Sequence, residues 1–425
     1  MAARTWKVQQ ESAQRVLQFV QSFLSDLHPR DFSVELWDGT RWPAENSVFP
    51  RFTWKINNPE SLKRAIFSTN REVALAEAYS YGDFDIEGDM EGIFGLAEYI
   101  IDHQWTKTEK LRLLGMALTL PSGKSATPER SPVRLGGSVH SKRRDLQAVG
   151  YHYDVSNEFY ALWLDRNMQY SEAYFEQPDD EIDVAQQKKL AYICSKLRLK
   201  PGERLLDIGC GWGGLIRFAV RERGANALGI TLSQEQLKWA EEQIRAEGLA
   251  DRCQVRLLDY RDLDEPADFD KIVSIGMVEH VGERNLPDYF RQVYRLLRPN
   301  GFFLNSGIAR AGNRAAESNP TFTDLYIFPD GELVPISNLL AHAENAGFEV
   351  QHVENLREGY RLTLLHWLRR LEAHQQTAKN LIGEIKYRMW RLYLAGSAYY
   401  FQKSKLELYH SLLLKTGKGC AAISV

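Results

Sequence analysis

From about residue 200 onward, short apolar runs alternate with longer stretches whose apolar residues recur every three to four positions. The runs at 205–208, 227–230, 255–258, 271–275 and 301–305 have the length and composition of strands covered on both faces. The stretches at 184–197, 215–223, 233–247 and 286–297 read as amphipathic helices. Ser233 stands where an N-cap belongs with Gln236 three residues on, a capping-box pattern, and Arg298-Pro-Asn-Gly closes the last of these helices. Such alternation predicts an α/β fold built on a mostly parallel, doubly wound sheet. Ligands of such sheets sit at the carboxyl ends of the strands.

The first 120 residues follow a different pattern. Helical spacing over 11–28 stops at Pro29, and alternation over 32–42 around Asp38-Gly39 predicts a hairpin. A strand at 49–56 and short helices at 62–67, 72–79, 93–103 and 107–118 complete a small α+β domain over 1–120. Residues 121–145 are rich in Pro, Ser and Gly and carry Lys124, Arg130, Arg134, Lys142, Arg143 and Arg144. They read either as a solvated linker or as a basic strip facing an anionic lipid surface. Residues 146–425 then form one larger domain. Within it, 320–350 inserts Phe322, Tyr326, Phe328 and Pro329 before a last helix and strand, and the aromatic-rich tail from 359 reads as helical.

Composition narrows the class. The 425 residues are 44% hydrophobic and 26% charged, ordinary for a globular protein, and a net charge of −3 offers no general field for nucleic acid. Cys194, Cys210, Cys253 and Cys420 have no metal-ligand spacing, so no metal is expected and a reducing compartment is favoured. No apolar run reaches 18 residues, and the start of the chain lacks the apolar core of a signal peptide. The expectation is a cytoplasmic enzyme whose membrane contact is peripheral.

Candidate chemistry starts at Leu205-Leu-Asp-Ile-Gly-Cys-Gly-Trp-Gly-Gly214. Glycines let the backbone take positive φ and approach a ligand closely. Gly209, Gly211 and Gly214 also satisfy the dinucleotide fingerprint, so the glycines alone do not choose a nucleotide. Asp207, just before the first glycine, suits a cationic nucleoside bearing an amino acid, such as S-adenosylmethionine, and no acid follows the second strand. The Asp-x-Gly-x-Gly pattern after an apolar strand resembles class I methyltransferases. A second aromatic-dense stretch, 151–175, either covers the sheet edge or forms one wall of an apolar pocket with Ser171 and Glu172 as its polar points.

Further motifs follow in order: Tyr153-Asp154 with Tyr170-Ser171, Gly229-Ile-Thr-Leu-Ser-Gln-Glu-Gln236, Asp259-Tyr-Arg-Asp262 and Gly276-Met-Val-Glu-His-Val-Gly282. Together with the glycine turn they resemble the cyclopropane-fatty-acyl-phospholipid synthases and mycolic acid methyltransferases over about 150–415. Residues 72–89 resemble the N-terminal domain of the bacterial synthases. Plant N-methyltransferases share the framework. The resemblance implies a Rossmann-like class I methyltransferase fold with a small α+β N-terminal domain and helical C-terminal additions. It implies S-adenosylmethionine lined by Asp207, Gly209 and Gly211, with Thr231, Leu232 and Gln236 at the ribose. Tyr260 with Asp259 would cover the adenine, and Tyr153 and Ser171 would close the near side.

It also implies attack of an alkene on the sulfonium methyl, a carbocation on an acyl chain, and loss of a proton. Loss from the transferred methyl closes a ring; loss elsewhere leaves a branch. Ring-forming members hold bicarbonate with a cysteine, a glutamate, a histidine and a tyrosine. The glutamate matches Glu279, beside His280, and the tyrosine matches Tyr360. The cysteine position is Glu172 and the histidine position falls near Ser306. That departure makes bicarbonate doubtful and suggests Glu172 as the base, with a pKa raised by burial near other carboxylates. The expected partners are unsaturated phospholipid acyl chains at a membrane surface and, by analogy, a second copy of the chain. A small-molecule N-methyltransferase and a non-catalytic lipid binder are the other functions considered.

Overall fold

The computed structural model describes residues 2–45, 49–121, 132–312 and 319–417. The chain divides into two compact units. One comprises Met1–Pro132, Glu317–Ile327 and Gly383–Gly396; the other comprises Val133–Ala316, Phe328–Ile382 and Ser397–Val425.

The smaller unit is a four-stranded sheet of β1 (Ser33–Leu36), β2 (Arg41–Trp42), β3 (Phe52–Ile56) and β4 (Phe84–Gly88) in the order β2-β1-β3-β4. The hairpin turns at Gly39, whose φ of 86° needs no Cβ to be accommodated. β4 falls in a stretch where the sequence pattern assigns no element. Phe84 and Ile86 are buried there and Asp85 and Glu87 face outward. Helices Ala2–Phe23, Glu60–Phe67, Arg71–Ser80, Gly92–Asp102 and Lys107–Leu118 complete this part of the unit. Two later segments finish it. Tyr326 donates its hydroxyl to Glu77 at 2.7 Å, and the Arg388 guanidinium donates to the carbonyls of Tyr79 and Phe84 at 2.7 and 2.8 Å.

The larger unit carries the sheet predicted from the alternating pattern. Its strands are β5 (Arg204–Ile208), β6 (Asn226–Thr231), β7 (Cys253–Leu257), β8 (Phe269–Ile275), β9 (Leu297–Arg310), β10 (Glu349–Asn355) and β11 (Leu406–Leu414). Their order is β10-β11-β9-β8-β5-β6-β7. β5 to β9 are mutually parallel, and β11 runs antiparallel between β9 and β10. Neighbouring residues serve opposite faces. Leu205 joins a buried cluster with Leu190, Leu215 and Ile216, while Leu206 joins one with Tyr289, Phe290 and Leu339.

Two expectations need correction. The tail is not helical throughout. After helices Arg357–Ala373, Gln375–Ile382 and Glu384–Gln402, it returns as β11 and sets His410 opposite Ser306. The basic segment does not stay irregular up to residue 145 either. Its end is the helix Lys142–Tyr153, and Lys142 pairs with Asp262. Arg144 donates to Asp330 at 2.5 and 2.9 Å, so both cations are engaged within their own unit. Lys124 and Arg130 lie outside the described residues, as does Cys420. Among the described residues no helix is long and apolar enough to cross a membrane.

The glycine turn and the 165–175 loop approach each other closely. A Cβ on Gly214 would stand 2.7 Å from the carbonyl oxygen of Asn167 and 2.0 Å from Gln169 Nε2. Gly214→Ala is therefore expected to cost roughly 1–3 kcal/mol of stability, read as a lower urea midpoint. An unchanged midpoint would contradict this packing.

Candidate active site

β5 delivers Asp207 to the carboxyl edge of the sheet and then turns through Gly209, Gly211 and Gly213, with φ of 80°, 54° and 75°. Helix Gly214–Arg223 begins directly after. Asp207 is buried, and its carboxylate has no hydrogen bond among the described residues. Burial pushes it up to about 7, with Lys189 opposing.

Every residue expected at the cofactor lines one cavity: Tyr153, Ser171, Asp207, Gly209, Gly211, Thr231, Leu232, Gln236, Asp259 and Tyr260. His280 lines it too. The Ser233 side chain caps helix Gln234–Ala246 by accepting from the Gln236 N–H at 3.2 Å. The reciprocal half of the capping box is absent. Gln236 Oε1 instead accepts from Thr231 Oγ1 at 2.7 Å, which leaves its NH2 group to donate elsewhere. Asp259 is fixed by Arg261, which donates to it from Nε at 2.8 Å and also reaches Asp145 at 2.9 Å. Burial, with His140 nearby, lowers His280 to about 4, so the imidazole is neutral at neutral pH.

The aromatic stretch both packs and lines the cavity, but of its two expected polar points Ser171 lines the cavity and Glu172 does not. Phe159, Tyr160 and Trp163 are fully buried packing, whereas Tyr153 and Tyr170 face the cavity beside Trp212. Behind Tyr170 stand Trp163 and Trp367, each 5.3 Å away between ring centroids. Tyr360 joins this group, 6.1 Å from Trp367 and 4.9 Å from Phe401.

The polar cluster lies where β9 and β11 meet the 165–175 loop. Glu172 is buried, and Ser306 donates its hydroxyl to Glu172 Oε1 at 3.0 Å. His410 Nε2 lies 2.6 Å from the same oxygen. The loop is held by Lys189, donating to Ser171 Oγ at 2.8 Å, by Gln186, donating to the Ser171 carbonyl at 2.9 Å, and by Thr363 Oγ1, accepting from the Ala173 N–H at 2.8 Å. The expectation of a raised Glu172 pKa is overturned. Burial does push it up, but the hydrogen bonds from His410 and Ser306 and the charge of Lys189 hold it below the ordinary carboxylate value. Glu279 is the carboxyl that rises. Burial takes it to about 7 against the Ile308 N–H, which donates to its Oε1 at 2.6 Å, and the charge of Glu172 adds to the rise. Glu279 Oε2 is buried with no hydrogen-bond partner among the described residues.

The sequence profile for mycolic acid cyclopropane synthetase matches residues 140–411, which is most of the chain and includes the whole cavity and the polar cluster. The chain belongs to that family. A profile for a domain of unknown function matches residues 19–102. A probable fatty acid methyltransferase of Pseudomonas putida is 40% identical over 385 residues, covering 90% of this chain and 91% of that protein. The cyclopropane-fatty-acyl-phospholipid synthase of Escherichia coli K12 is 35% identical, covering 86% and 94%. A solved mycolic acid cyclopropane synthase complexed with SAH and CTAB superposes with a TM-score of 0.60 at 32% identity, covering 64% of this chain and 98% of that one.

The protein is thus an S-adenosylmethionine-dependent methyltransferase of the cyclopropane synthetase family. The cavity fits that cofactor, with an unpartnered buried acid, a glycine turn at a helix N-terminus and a free amide on Gln236. His410 is the residue that motif reading missed. Its signal lies only in the strand-like run of 406–414.

Because Asp207 titrates at about 7 before a cation arrives, affinity for S-adenosylmethionine should rise as pH goes from 6 to 8. Asp207→Asn is expected to weaken binding by about 10- to 100-fold, the worth of a lost charged hydrogen bond, and to flatten the pH dependence. Calorimetric titration at three pH values checks both, and unchanged affinity in the variant would contradict the assignment.

Proposed function

We propose that the protein methylates the double bond of unsaturated fatty acyl chains of phospholipids and closes a cyclopropane ring by loss of a proton from the transferred methyl. The observation that carries this reading is the buried Glu172, hydrogen-bonded to Ser306 and His410 and next in the chain to Ser171, which lines the aromatic-walled cofactor cavity. When bound, the cofactor supplies an electrophilic methyl on a cationic sulfur. Asp207 takes its amino acid part, Gln236 its ribose, and Tyr260 its base. Tyr153, Tyr170 and Trp212 keep water from the reacting carbons, and their π faces favour a developing cation.

Glu172 is the proton acceptor. A carbocation gives up its proton readily, so the acceptor needs only to be ionised and near, and a lowered pKa keeps Glu172 ionised throughout the neutral range. Glu279, at about 7 and beside it, adds a second negative charge only when deprotonated. Bicarbonate does not suit this set. It would bring a further anion to two buried carboxyl groups. Ser306 and His410, the donors at this point, are already spent on Glu172.

A second reading, a methylene- or methyl-branched product, is favoured by Glu172 and Ser306 standing where the ring-forming pattern has cysteine and histidine. Labelled cofactor incubated with unsaturated phospholipid vesicles tests the substrate. Label is expected in the acyl chains, and label confined to soluble amines would overturn the proposal. Glu172→Gln should lower kcat by about 10²-fold or more while cofactor affinity holds. Full turnover in that variant would remove Glu172 from the role.

A further inference from the structure

Behind Glu172 a line of polar groups leads away from the cavity. His410 Nδ1 lies 3.3 Å from Lys196 Nζ, and Lys196 forms an ion pair with Glu354 on β10. Glu354 also accepts from the Tyr192 hydroxyl at 2.8 and 3.0 Å. Burial falls off along the line. His410 and Glu172 side chains are 1% and 2% exposed, Lys196 is 9% and Glu354 is 26%. None of Lys196, Glu354 or Tyr192 lines the cofactor cavity.

The chemistry of the donors fixes the direction of every bond in this line. An ammonium group has three N–H donors and no acceptor. Burial lowers the Lys196 pKa and its ion pair with Glu354 opposes that; as an ammonium, Lys196 can only donate to His410 Nδ1. The imidazole proton must then sit on Nε2, 2.6 Å from Glu172 Oε1. Ser306 donates to that same oxygen. Both bonds fall on Oε1, and Oε2 is left as the oxygen that can take a proton.

We infer that Lys196, tied to Glu354, is a positioning residue that locks His410 in the Nε2–H tautomer and so holds Glu172 as an ionised acceptor with Oε2 free. The inference rests on Glu172 being the base. The opposite tautomer would turn a lone pair of Nε2 towards Glu172 Oε1, and the contact would then require a proton on the carboxyl. The charged or titratable groups acting on Glu172 are His410 from β11, Lys189 and, by its charge, Lys196 itself from helix Ile182–Lys196, and Glu279 from the turn after β8. Only His410 is joined to Lys196 by a hydrogen bond.

The test uses Lys196→Met, which keeps the length of the side chain and removes the donor, and Lys196→Arg, which restores a donor. Long-range nitrogen–proton spectra of histidine-labelled protein read the tautomer directly, with His410 assigned by His410→Gln among the 10 histidines. The Nε2–H form is expected in the native protein and in Lys196→Arg, and lost in Lys196→Met. With vesicles as substrate, Lys196→Met should lower kcat about tenfold or more at unchanged KM for the cofactor. In a Glu172→Gln background it should cause no further loss, because the two act as one unit. The Nδ1–H tautomer in native protein would overturn the inference. So would an equal fold loss in both backgrounds, which is what a merely structural lysine gives; native turnover of lipid would then leave the lipid reading standing.

Discussion

An ionised carboxylate buried in protein is the costliest group in this structure, and much of the larger unit is arranged around it. Left alone, such a group would take up a proton. Glu172 stays ionised because three elements far apart in sequence converge on it: Ser306 from β9, His410 from β11 and the charge of Lys189 from helix Ile182–Lys196. That requirement gives the antiparallel return of β11 a purpose beyond completing the sheet. It also explains why the loop carrying Ser171 and Glu172 is pinned from both sides by buried side chains. Removing one partner of such a cluster leaves an uncompensated buried charge, which is far worse than never having had the pair.

In the proposed reaction two carboxyl groups in one site, pushed in opposite directions, divide the work. Glu172 is held down by donors and Glu279 is pushed up by burial, with an orphaned oxygen. A site with both ionised at rest would be electrostatically strained. With one ionised, it offers a single acceptor and can gain a second negative charge when a cation forms. Asp207, at the other end of the cavity, follows the same logic towards the cofactor's own positive charge.

What was legible in the sequence was local. The strand, glycine turn and helix around Asp207, the Ser233 cap and the Asp259 turn are set by residues within a few positions of each other, and the cofactor cavity followed from them. What was not legible was long-range pairing. His410 meets Glu172 across 238 positions, and Lys196 meets His410 across 214. Neither pairing has a motif. Burial of Glu172 was foreseen, but the sign of its shift depends on donors that only the β9–β11 register supplies. The aromatic tail hid β11 because the helices before it share its composition, and β4 was hidden by the polar residues on its outer face.

The central claim is that the proton lost in the reaction comes from the transferred methyl. Cofactor carrying a fully deuterated methyl group, incubated with unsaturated phospholipid vesicles, tests it through the mass of the released fatty acids. The account predicts acyl chains that have gained one carbon with two of the three deuterons retained and that resist mild hydrogenation, as a ring does and a methylene branch does not. Acyl products that keep all three would place the proton loss elsewhere on the chain and contradict it.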